Sequence, residues 1–122
     1  MSRLSEDLRI RCKAYASAII RLFVALPKER EEVRVLGRQL LRSGTSVAAH
    51  SREASRARSD AEFVAKIEGL TQEADESALW LELLAEDCGV RAAGLDFALT
   101  ETRELLAIFS TIAKKVKDSR SS

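Results

Sequence analysis

The side chains best placed for chemistry in this sequence are arginines. Arg34, Arg38, Arg42, Arg52 and Arg56 recur at helical spacing, and at about 100° per residue all five fall within an arc of roughly 90°. A guanidinium can grip phosphate oxygens in pairs, and a row along one helix can track a nucleic-acid backbone. Two other readings stay open. The row is a solvated face with local pairing to Glu31 and Glu32, or it meets an acidic helix of a neighbouring subunit. No aromatic residue interleaves with it, so base stacking has no support.

Other chemistry is thinly represented. The chain has one histidine, His50, in a His-x-x-Glu relation to Glu53. A di-metal bundle site wants inward glutamates and two Glu-x-x-His pairs, so a metal-binding or small-molecule bundle enzyme fits poorly. His50 reads instead as a polar residue at a helix or subunit boundary. No Gly-rich phosphate loop, Cys-x-x-Cys pair or nucleophile elbow is present. The acids Glu73, Asp75 and Glu76, and Glu82, Glu86 and Asp87, read as a solvated or salt-bridged face rather than as acid–base machinery. Cys12 and Cys88 fall on apolar helix positions, as small core residues do. No catalytic residue, metal or cofactor is expected.

Apolar periodicity supplies the elements that must carry these residues. Leu8, Cys12, Tyr15, Ile19, Leu22 and Leu26 alternate steps of four and three, the seam of a bundle helix over about 4–26. Ser5 or Ser2 can cap it. Pro27 ends it and suits the first position of a second helix over about 28–57. On that helix Val33, Leu36, Leu40, Val47 and Ala54 lie opposite the arginines. Gly37, Gly44 and Ser51 repeat at heptad spacing, a strip of minimal side chains suited to close helix packing. Ser59 and Glu62 form a capping-box pattern that opens a third helix over about 60–88, with Gly89 as its stop. A fourth covers about 95–117, followed by a frayed tail. Helices joined this tightly predict one all-α domain over 1–122, an antiparallel up-and-down four-helix bundle.

Charge is divided along the chain although the total is only +1 over 122 residues. Residues 30–58 carry seven arginines against Glu31, Glu32 and Glu53, whereas residues 59–87 carry nine acids against Lys66 alone. A basic second helix followed by an acidic third is the main electrostatic feature. No apolar run approaches the roughly 20 residues of a membrane span, and the start lacks the apolar stretch of a secretory signal. A cytoplasmic protein with no membrane partner is expected.

Several stretches together resemble a known family. They are Leu26-Pro27-Lys28-Glu29, the run from Gly37 to Ala49, Arg52-Glu53-Ala54, Ser59 to Phe63, Glu73 to Glu76, and Trp80 to Leu84. They resemble the four-helix bundle family of 23S ribosomal RNA intervening-sequence proteins. The accessory variability proteins of diversity-generating retroelements look like the same fold. The resemblance implies a homopentamer around a central channel, with a basic surface that engages RNA or DNA and a partner reverse transcriptase. Arg42, Ser43, Ser46 and Glu53 match family positions, as packing and assembly residues or as binding residues. The family usually has Asn where this chain has His50. The expected function is that of a non-enzymatic, oligomeric nucleic-acid-binding or accessory protein. The alternative is a purely structural self-assembling module.

Overall fold

The computed structural model describes residues 4–121, with side chains through Ser119. Four helices follow one another: α1 Glu6–Ala25, α2 Glu31–Ser55, α3 Asp60–Glu82 and α4 Leu95–Ser121. Among the described residues there is no strand. Consecutive helices pack together and α4 returns to α1, so α1 and α3 lie on one diagonal and α2 and α4 on the other. Contacts run in opposite senses along neighbours. Gly37 and Gly44 of α2 meet Leu26 and Ile19 on the α1 side. Ser43 and Glu53 of α2 meet Ser77 and Lys66 of α3. Glu68 and Glu82 of α3 meet Lys117 and Arg103 of α4. This is the expected all-α, antiparallel up-and-down four-helix bundle.

The helix starts follow from their caps. Ser5 Oγ accepts from the Leu8 amide at 3.1 Å, and Ser59 Oγ accepts from the Glu62 amide at 3.0 Å. Each satisfies a donor that has no intrahelical partner. The alternative cap, Ser2, lies outside the described residues. Glu6 and Asp7 in α1, Glu31 and Glu32 in α2, and Asp60 and Glu62 in α3 sit in first turns, where the positive end of the helix dipole favours them.

Three boundaries differ from expectation. Pro27 is not the first residue of α2, which begins at Glu31 with Arg30 in the capping position. Leu26 is already extended at ψ 146°, as a residue before proline prefers. Lys28 Nζ then turns back to donate to the carbonyls of Phe23, Val24 and Leu26 at 3.0–3.1 Å. Those bonds satisfy the end of α1 and hold the chain out of a helix for several residues. The third helix does reach the Cys88 region, but its last stretch, Leu83–Asp87, is a single π turn. The Cys88 amide returns to the Leu83 carbonyl at 3.0 Å, and the Val90 amide to that of Leu84 at 2.9 Å. Gly89 at φ +64° reverses the chain there, a conformation that only glycine adopts freely. Arg30 Nη1 donates to the Cys88 carbonyl at 2.8 Å and so ties the α1–α2 and α3–α4 connections together. Finally, α4 continues to Ser121 rather than ending near residue 117.

The core is a stack of apolar seams with one polar layer through it. Ile19, Leu22, Val33, Leu40, Val47, Ile67, Leu70, Leu81, Leu84, Leu105 and Phe109 are all buried, each large one contributing roughly 1.5–3 kcal/mol relative to exposure. The polar layer takes one residue from each helix: Tyr15, Ser43, Ser77 and Thr102, all buried. Thr102 donates to the Ala98 carbonyl at 2.6 Å, so Tyr15 donates to Thr102 across their 2.6 Å contact. Ser77 donates to the Glu73 carbonyl at 3.0 Å, so Ser43 donates to Ser77 at 2.7 Å. The layer is hydrogen-bonded throughout, which is what makes polar groups tolerable in a core.

Candidate nucleic-acid interface

The arginine row lies on α2 because the opposite side of that helix is consumed by the core. Val33, Gly37, Leu40, Ser43, Gly44, Val47, Ser51 and Ala54 are its buried residues. Arg34, Arg38, Arg42, Arg52 and Arg56 are all exposed. At roughly 1.5 Å per residue the row is about 33 Å long.

The five are not equivalent. Arg34 pairs with Glu31 one turn earlier. Arg42 Nη2 stands 3.6 Å from Glu76 Oε1 on α3. Arg38, Arg52 and Arg56 have no ion-pair partner among the described residues. Local pairing therefore occurs at Arg34, and Arg42 is met by an acid of α3 within its own chain. At the far end of the row, Arg52, Arg56, Arg58 and Lys66 rim a shallow concavity with Glu53 and Glu62. Lys66 donates to Glu53 at 2.8 Å and holds that carboxyl below the usual carboxylate range. Arg58 and Lys66 were not legible as members of this surface. Arg58 follows the end of α2, where a helical wheel cannot place it, and Lys66 belongs to a helix that reads as acidic.

The small residues have well-defined neighbours. A Cβ at Gly44 would stand 2.9 Å from both Cγ atoms of Ile19, and one at Gly37 would stand 2.9 Å from Leu26 Cδ1. Ser51, also buried, bonds the Ala48 carbonyl at 2.7 Å and reaches the Cys12 thiol. The heptad strip is therefore the α2 side of the α1–α2 contact, filled by side chains from α1. Ser43 belongs to the polar layer. Ser46 accepts, through its carbonyl, a bond from His50 Nδ1 at 2.9 Å. A carbonyl cannot donate, so Nδ1 carries the proton, and Nε2 is the acceptor of the neutral ring. The ring lies over Gly69 of α3, where a Cβ would meet His50 Cδ2 at 3.2 Å. His50 is thus a boundary residue between two helices of one chain. Glu53 bonds Lys66 of the same chain. Gly69 was missed as a packing glycine, because an isolated glycine on an amphipathic helix carries no sign of what crosses it.

Among the described residues no three histidine, cysteine or acidic side chains converge as a metal site. No helix among them is long and apolar enough to cross a membrane. Cys12 and Cys88 are buried free thiols. Burial pushes Cys12 from the usual 9.0 up to about 11, which keeps it protonated and inert at neutral pH. On this surface the exposed guanidinium groups can bind anions.

Comparison with known proteins agrees with the architecture. No curated protein matches the chain. A crystal structure of a protein of unknown function from the S23 ribosomal protein family of Bacteroides thetaiotaomicron superposes with a TM-score of 0.78 at 31% identity, covering 87% of this chain and 97% of that one. The family model described as 23S rRNA-intervening sequence protein matches residues 6–111. Aligned over all four helices in this way, the chain belongs to the 23S rRNA-intervening sequence protein family.

Proposed function

We propose that this protein is a non-enzymatic, oligomeric nucleic-acid-binding protein whose contact surface is the arginine face of α2. One observation carries the reading. Five arginines are exposed along one helix, and three of them, Arg38, Arg52 and Arg56, have no acidic partner among the described residues. Exposed, uncompensated guanidinium groups at that spacing suit phosphates and little else. The surface has no aromatic platform, so binding reads the backbone and is weakly selective for sequence. An accessory role beside a reverse transcriptase, in an assembly of five subunits, belongs to the same proposal and rests on family resemblance. The test is a mobility-shift titration with RNA and DNA duplexes at low and high salt. Binding is expected to weaken steeply with salt and to fall when Arg34 and Arg38 become Glu. The absence of binding at low salt by the intact protein would sink the proposal.

The alternative is a structural module in which this row pairs with acidic α3 of a neighbour. It is weakened by what α3 already does within its own chain. Glu76 meets Arg42, Glu82 meets Arg103 and Glu68 meets Lys117.

A further inference from the structure

Free positive charge is unevenly shared along the arginine face, and most of it gathers at one end. Arg34 and Arg42 are met by Glu31 and Glu76. Arg52, Arg56 and Arg58 are exposed, and their guanidinium groups have neither an ion pair nor a hydrogen bond among the described residues. Other arginines spend their donors within the chain, Arg11 on Glu101 and Arg30 on the Cys88 carbonyl. The three stand where α2 ends, Arg56 as its capping residue and Arg58 in the turn to α3. A helix C-terminus favours cations, yet none of these guanidinium groups donates to its carbonyls. The Arg52 carbonyl is taken by Ser55 Oγ at 3.0 Å.

Together with Lys66 they line the concavity at this end of the row, about 340 Å³ in volume. Its two acids are committed to Lys66. Glu53 accepts from the ammonium at 2.8 Å, and Glu53 first, then Glu62, favours its charged form. The three guanidinium groups are left as the unspent donors of the concavity. Beyond it the surface changes sign, since residues 59–87 carry nine acids against Lys66 alone. A nucleic-acid strand that follows α2 loses its counter-charge at this point.

We infer that this concavity seats a terminal phosphate of a nucleic-acid strand, 5′ or 3′, from which the strand runs back along the arginine face of α2. This rests on the phosphate reading of α2 given above and adds to it a fixed end. The chemistry of the two kinds of phosphate selects it. A phosphodiester within a strand carries one negative charge and suits arginines spaced out along a helix. A terminal phosphomonoester carries about −1.5 to −2 at neutral pH and offers three strong acceptor oxygens. Several guanidinium groups around one concavity match that group, because each can bind its oxygens in pairs. At about 1.5 Å per residue, Arg34 to Arg56 covers roughly 33 Å, or about ten nucleotides at about 3.4 Å each. The acidic surface of α3 then stops the track at the seated end.

Fluorescence-anisotropy titration of the full chain at low salt tests this. The probe is one blunt duplex of about twelve base pairs, in RNA and in DNA, prepared with 5′-phosphates, with 3′-phosphates or with hydroxyls at every end. One phosphorylated form is expected to bind about tenfold tighter than the hydroxyl form, and which form does so identifies the seated end. Arg56→Ala/Arg58→Ala alters two exposed side chains, so helical circular dichroism should persist while the preference falls to about one. Arg38→Ala, near the other end of the face, should weaken all three forms and keep the preference. Equal affinities for the three forms, or a preference that survives Arg56→Ala/Arg58→Ala, overturns the inference and leaves the phosphate reading of α2 standing. Failure of every form to bind removes both.

Discussion

At the scale of single residues, glycine decides how closely α1 and α2 approach. A methyl group at Gly44 would press on both Cγ atoms of Ile19 at 2.9 Å, and a β-branched side chain has few rotamers with which to yield. Overpacking of about 1–3 kcal/mol is set against about 1 kcal/mol of helix propensity gained. Gly44→Ala is expected to lose about 1 kcal/mol in urea unfolding. Gly69→Ala meets only the His50 ring at 3.2 Å, so it should be neutral or slightly stabilising. A Gly44→Ala protein more stable than wild type would show that propensity wins. Cys12 sets a pH limit by the same close packing. Its folded thiol titrates at about 11 instead of 9.0, so its contribution to stability is complete below about pH 9 and disappears between pH 9 and 11. Two units at about 1.4 kcal/mol each give a loss of roughly 3 kcal/mol. Buried Tyr15, also shifted upward, works in the same direction. The urea midpoint should fall across that window, and less steeply in Cys12→Ala. Parallel curves for the two proteins would contradict this assignment.

Between elements, seams were more legible than the connections and the cross-links. The four-three spacing of Leu8, Cys12, Tyr15, Ile19 and Leu22 finds α1 because burial imposes that period. Ser59 finds the start of α3 because its cap is local in sequence. The start of α2 was misplaced because Lys28 reaches backwards to three carbonyls, a choice that no periodicity encodes. The polar layer was hidden for a related reason. Tyr15 stands on the α1 seam, and nothing in one helix says that its hydroxyl meets one on another. That layer should matter to stability. Tyr15→Phe keeps the ring and removes the donor that reaches Thr102 at 2.6 Å. It is expected to cost about 1–2 kcal/mol, measured as a lower urea midpoint with unchanged helical content. No loss would mean that Thr102, still bonded to Ala98, needs nothing more. The five arginines share one exposed face, whereas their inequality was not visible, since the acid opposing Arg42, Glu76, comes from a different helix.

For the whole molecule, the decisive point is that its two basic surfaces are made of different residues on different helices. Arg38, Arg52 and Arg56 stand on α2, and Lys13 and Arg21 on α1. A phosphate contact releases counterions, so the logarithm of the binding constant falls against the logarithm of salt by about 0.7–0.9 per phosphate neutralised. Replacing Arg38, Arg52 and Arg56 with Ala should make that slope shallower by about 2–3, with no change in sedimentation. Reversing Lys13 and Arg21, which stand on another helix, should leave the arginine row's share of that slope unchanged. If the three α2 substitutions dissolved the assembly and left nucleic-acid binding untouched, the row would be an interface between subunits, and the reading of α2 as a phosphate surface would fail on its own evidence.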